Sequence, residues 1–105
     1  MRLELTGRHV VVSPAIQRIV ERKLARLERL LDHRALSAQV VLSKGKRLLR
    51  VDVTLHARGD RFLHGAGEGA GWATAVTAAT GKLAQQAQKV KGKWTEARPL
   101  RTRRT

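Results

Sequence analysis

Leu3 and Leu5 alternate with Arg2, Glu4 and Thr6, the period of two expected of a half-buried strand, and the run ends near Gly7. Val10, Val11 and Val12 lead into Ser13-Pro14, a hydroxyl residue suited to a helix N-cap followed by proline at the first helical position, where its missing N–H costs nothing. From there apolar residues recur at 16, 19, 20, 24, 27, 30 and 31, one stripe of an amphipathic helix reaching to about Asp32. Two strands are predicted next, over 38–43 and 49–56; in the second, Leu49, Val51, Val53 and Leu55 alternate with Arg50, Asp52, Thr54 and His56. Lys44-Gly45-Lys46-Arg47 between them reads as a basic hairpin loop. After the Arg58-Gly59-Asp60 turn, a further strand is expected from Arg61 to about Ala66, weakened by the glycines at 65 and 67.

The second helix is predicted from about Gly71, because Trp72, Val76, Ala79, Leu83, Ala87, Val90 and Trp94 follow one another at spacings of three or four. Its intrinsic propensity is poor: Thr74, Thr77 and Thr80 are β-branched, and Gly81 costs roughly 1 kcal/mol against alanine in a helix interior. Packing on the sheet must therefore hold it. Pro99 is expected to stop any continuation. The order β-α-β-β-β-α predicts a two-layer α+β fold, a four-stranded, antiparallel-rich sheet with both helices on one face. One domain over 1–94 is expected, followed by a basic tail over 95–105 that is disordered when free.

Composition narrows the function. The 105 residues are 42% hydrophobic, enough for a modest core, and the absence of cysteine removes disulfide frameworks and thiolate zinc sites. The start Met-Arg-Leu-Glu-Leu lacks the apolar stretch of a signal peptide, and no run approaches a membrane span, so a soluble protein of a reducing cytoplasm is expected. The 22 Lys and Arg against 8 Asp and Glu leave a formal charge of +14. An excess of that size raises the energy of the compact state by self-repulsion and suits a polyanionic partner.

No catalytic constellation is present in the pattern. His9, His33, His56 and His64 fall in separate segments without metal-ligand spacing, and no G-x-S-x-G elbow exists. The stretch Gly65-Ala66-Gly67-Glu68-Gly69-Ala70-Gly71 lacks the G-K-[ST] ending of a phosphate-binding loop and reads as a flexible strand-to-helix connection. No catalytic or metal-binding residue, no cofactor and no small-molecule substrate is predicted.

The charges are sorted. At about 100° per residue, Arg18, Arg22, Arg26 and Arg29 form one flank of the first helix, and Glu21, Glu28 and Asp32 the other. Lys23 falls inside the apolar sector, so its stem must lie along the core edge with its ammonium reaching outward. On the second helix Lys82, Gln86, Lys89 and Lys93 form a row, and if the helices lie side by side the two rows together edge one basic surface. Cations at every helical turn suit a phosphate backbone. Trp72 and Trp94 occupy core positions and Phe62 is the remaining aromatic, so readout of a structured RNA by shape and backbone fits better than base stacking along a single strand. A membrane surface would need apolar residues beside the charges, and both apolar stripes are required by the sheet.

Five segments, in order, resemble one family. They are Leu3-Glu-Leu-Thr-Gly-Arg-His-Val10, Val20-Glu-Arg-Lys-Leu-Ala-Arg-Leu-Glu-Arg29, Val40-Val-Leu-Ser43, Val53-Thr-Leu-His56 and Lys82-Leu-Ala-Gln-Gln-Ala-Gln-Lys-Val-Lys-Gly-Lys93. Over residues 1 to about 98 the chain is similar to the bacterial ribosome hibernation-promoting factors, which include ribosome-associated inhibitor A. The resemblance implies a fold akin to double-stranded-RNA-binding domains. It also implies docking on small-subunit rRNA where messenger and transfer RNA would lie, silencing idle ribosomes under stress or in stationary phase. RNA contacts would then fall on Arg22, Lys23, Arg26 and Arg29, on Lys82, Gln86, Lys89, Lys91 and Lys93, and on Arg98. Gly71, Ala73 and Gln85 stand where the family usually has Asp, Tyr and Arg. The implied form is the short one, without the dimerisation domain of long members, monomeric off the ribosome. A general double-stranded-RNA-binding module is the alternative.

Overall fold

The computed structural model describes the backbone of residues 1–100 and the side chains of residues 1–89. The elements are β1 (Arg2–Arg8), α1 (Pro14–Leu30), β2 (Ala35–Lys44), β3 (Leu49–Ala57), β4 (Arg61–Gly69) and α2 (Trp72–Leu100). The four strands form one mixed sheet in the order β1-β2-β3-β4. β1 runs parallel to β2, as the crossover through α1 requires, and the hairpins β2-β3 and β3-β4 are antiparallel. This is the two-layer α+β architecture that the pattern predicts.

Local chemistry sets the ends of α1. The Ser13 hydroxyl accepts a hydrogen bond from the Ile16 amide at 3.2 Å, and Pro14 opens the first turn. Past the end, the His33 amide donates to the Glu28 carbonyl at 3.0 Å, and Asp32 and His33 take positive φ. The α1 stripe of Ile16, Val20, Leu24 and Leu27 is buried and meets Val40, Leu42, Val51, Val53 and Leu55 from the inner sheet face and Val76, Ala79 and Leu83 from α2. Each fully buried Val or Leu contributes about 1.5–3 kcal/mol relative to an exposed one. Thr80 is buried too, but its hydroxyl donates to the Val76 carbonyl at 2.9 Å and is not stranded.

Several boundaries differ from the sequence expectation: α1 ends at Leu30, and β2 begins at Ala35 and takes in Lys44, where 38–43 is expected, while two further differences lie in β4 and α2. β4 continues through Gly69, so residues 65–69 are strand and not a flexible connection. Gly65 and Gly67 face α2, where a Cβ on Gly65 would lie 2.7 Å from the Ala79 carbonyl oxygen and one on Gly67 2.4 Å from both the Ala75 oxygen and the Ala79 nitrogen. Glycine is required here so that helix backbone can lie directly on the strand. α2 runs past Trp94 and one residue past Pro99, because proline biases the preceding residue away from helix without forbidding it. Residues 101–105 of the expected disordered tail lie outside the described residues.

Candidate nucleic-acid interface

With both helices on the inner face, the opposite sheet face is open. Strand register places Arg2, Glu4 and Arg8 of β1, Gln39 of β2, Arg50, Asp52 and His56 of β3, and Phe62, His64 and Glu68 of β4 on this face. Half of its charges form one cluster, Arg50 with Asp52 and Glu68. Arg50 donates to both Asp52 oxygens at 2.9 and 3.0 Å and lies 3.7 Å from Glu68, while Gln39 donates to Glu4 at 3.0 Å. The hydrogen bond to Asp52, then the charge of that carboxylate, raises the Arg50 pKa above its ordinary value. Three arginines against three carboxylates leave this face close to neutral in a chain of +14.

Part of the surplus lies on the helix layer, the rest falling in the basic hairpin at 44–47, the turn after β3 and the residues past α2. Arg22, Arg26 and Arg29 are exposed along α1, and Lys82 and Lys89 along α2. Lys23 is half-buried and, with Arg26, lines a groove between the helices whose other walls include Leu27, Leu30, Gly81 and Ala84. That position matches the rim placement read from the helical wheel.

The two basic rows do not adjoin. The Gln86 amide donates to the His64 carbonyl at 2.7 Å and its oxygen accepts from the His64 amide at 3.3 Å, closing part of the outer edge of β4. Lys82, Gln86 and Lys89 lie within roughly 60° of one another on the helix. Anchoring Gln86 therefore rolls the lysine row toward β4, away from the α1-facing flank that carries Thr77, Thr80 and Ala84. The helix layer thus presents an arginine row, a groove and a lysine row in succession. The side chains of Lys91, Lys93 and Arg98, and that of Trp94, lie outside the described residues.

One aromatic is exposed away from the helix layer. Phe62 is 65% exposed on the open sheet face, stacked on His56 with ring centroids 4.5 Å apart and planes 5° off parallel. Strand parity carried the signal, since Leu63, Gly65 and Gly67 face inward and so turn Phe62 out. Among the described residues, no three His, Asp or Glu side chains are grouped to hold a metal ion, and no helix is long and apolar enough to cross a membrane.

Residues 3–95 match the family described as sigma 54 modulation protein / S30EA ribosomal protein. The chain belongs to this family. It is 36% identical over 93 residues to the ribosome hibernation promoting factor of Escherichia coli strain K12, covering 89% of this chain and 96% of that protein. The Klebsiella oxytoca factor of the same name is 33% identical over the same shares. Among solved structures, a ribosomal subunit interface protein from Coxiella burnetii superimposes with a TM-score of 0.80 at 25% identity, covering 88% of this chain and 99% of that one. The Thermus thermophilus Protein Y N-terminal domain gives 0.76 at 30% identity, with 86% and 99% coverage. The sigma 54 modulation / S30EA match reaches all four strands, the whole of α1 and α2 as far as residue 95, so the basic positions from Arg22 to Lys93 lie within the matched region and Arg98 lies beyond it.

Proposed function

We propose that this chain is a ribosome-binding hibernation factor of the bacterial cytoplasm, acting by occupancy without catalysis. The helix layer docks on small-subunit rRNA in the decoding region, where messenger and transfer RNA would otherwise lie, and holds idle ribosomes inactive under stress or in stationary phase. Arg22, Lys23, Arg26 and Arg29 from α1 and Lys82 and Lys89 from α2 supply the phosphate contacts, joined by Lys91, Lys93 and Arg98 further along the chain. Gln86 serves chiefly to lock α2 to β4, since both ends of its amide are engaged there. Off the ribosome the chain is a monomer, and it requires no cofactor or small-molecule substrate.

The observation that carries this reading is the polarity of the fold, with exposed cations along the helix layer and a sheet face whose three arginines are matched by three carboxylates, Arg50 being paired with Asp52 and Glu68. Phosphate neutralisation with counterion release favours the first surface and gains nothing from the second. Sucrose-gradient sedimentation of a stationary-phase lysate at low salt tests it. Co-migration with small subunits or whole ribosomes is expected, and recovery solely from ribosome-free fractions contradicts it. A competition titration against free duplex RNA separates the general duplex binder, which would show equal affinity for the two.

A further inference from the structure

Gly81 has no use inside the molecule. It lies in the middle of α2, and a Cβ built on it would meet nothing within 4 Å, in contrast to Gly65 and Gly67, whose missing side chains make room for helix backbone. Alanine would fit and would make a better helix. What the missing side chain does open is one wall of the groove between α1 and α2, a space of about 310 Å³. Leu27, Leu30 and Ala84 give that groove an apolar lining, Lys23 and Arg26 stand on the α1 side, and none of its lining residues is acidic. Its volume is at the small end of the range of about 300–1,000 Å³ that holds a single small ligand.

An apolar lining beside two cations matches one nucleotide, a flat base joined to a phosphate. Sequence-specific contacts to RNA are made mainly to bases splayed out of the helix, and a glycine lets such a base approach protein backbone closely. We propose that the α1-α2 groove receives a single unstacked nucleotide of the bound RNA. Its base lies against Leu27, Leu30, Ala84 and the Gly81 backbone, and its phosphate is held by Lys23 and Arg26. This rests on the docking of the helix layer on rRNA proposed above and adds one base-binding subsite to it.

The test uses the full chain and purified small subunits, comparing wild type with Gly81→Ala and Gly81→Leu. Affinity, thermal midpoint, salt dependence and chemical reactivity of the rRNA bases are measured for each. Gly81→Ala raises the midpoint yet weakens binding several-fold. Gly81→Leu weakens binding at least tenfold with an unchanged slope of log affinity against log salt, because no cation is removed. One base protected by wild type regains its reactivity in complexes saturated with the leucine variant.

Binding of Gly81→Leu within twofold of wild type, with the same protections, overturns the subsite and leaves rRNA docking standing. Weaker binding without any change in base protection also overturns it, since a protein segment and not a base would then fill the groove. Wild type that fails to bind small subunits at all sinks docking and subsite together. Should the leucine variant not fold, the alanine variant decides alone: a raised midpoint with wild-type affinity contradicts the subsite.

Discussion

A methyl group added at Gly67 and one added at Gly81 would have opposite effects. At Gly67 the new carbon meets α2 backbone at 2.4 Å, so strand and helix must part, and Gly67→Ala should destabilise the fold by about 1–3 kcal/mol, as overpacking does. At Gly81 the space is open, and Gly81→Ala should stabilise by about 0.5–1 kcal/mol through helix propensity and a less flexible unfolded chain. Urea denaturation reads both: the midpoint falls for the first and rises for the second, with the slope unchanged. The residues themselves do not announce this difference. Glycines alternating at 65, 67, 69 and 71 look the same whether they make a loop or a strand pressed on a helix, and only the neighbour across the sheet face decides. Ser13, by contrast, was legible alone, because a cap bonds within its own turn; Ser13→Ala should cost about 1 kcal/mol in the same titration.

Among the elements, α2 shows what a helical wheel can and cannot supply. Its apolar positions identify the buried side correctly, and Val76, Ala79, Leu83 and Ala87 are all in the core. The wheel does not say which polar flank faces α1 and which faces β4, because that depends on chain topology. The bond pair between Gln86 and His64 settles the roll of α2 and separates the lysine row from the arginine row. Gln86→Ala should cost about 1 kcal/mol, the usual net worth of such a contact, and should speed hydrogen exchange at the His64 amide more than at the amide of Leu63. Equal acceleration along the whole of β4 would instead indicate general loosening. Strand boundaries were legible where apolar and polar residues alternate, as in β3, and not in β4, where glycine carries no hydropathy signal.

For the whole molecule, the +14 charge is distributed unevenly by the layered fold. The sheet face balances Arg2, Arg8 and Arg50 with Glu4, Asp52 and Glu68, whereas α1 and α2 carry cations along their exposed sides. Sequence periodicity could show that α1 segregates charge by flank. It could not show that the sheet face is electrically balanced, since Glu68 comes beside Arg50 only through the β3-β4 register.

Docking through the helix layer is tested by the salt dependence of affinity for isolated small subunits. The measurement compares wild type, a helix-layer variant reversing Arg22, Arg26, Lys82 and Lys89 to Glu, and a sheet-face variant reversing Arg2 and Arg50. Docking through the helices predicts a steep wild-type slope of log affinity against log salt, shallower by about one for each helix-layer cation lost from a phosphate, and unaltered by the sheet-face changes. An unaltered slope in the helix-layer variant, or an equal loss in both, would contradict docking through the helices.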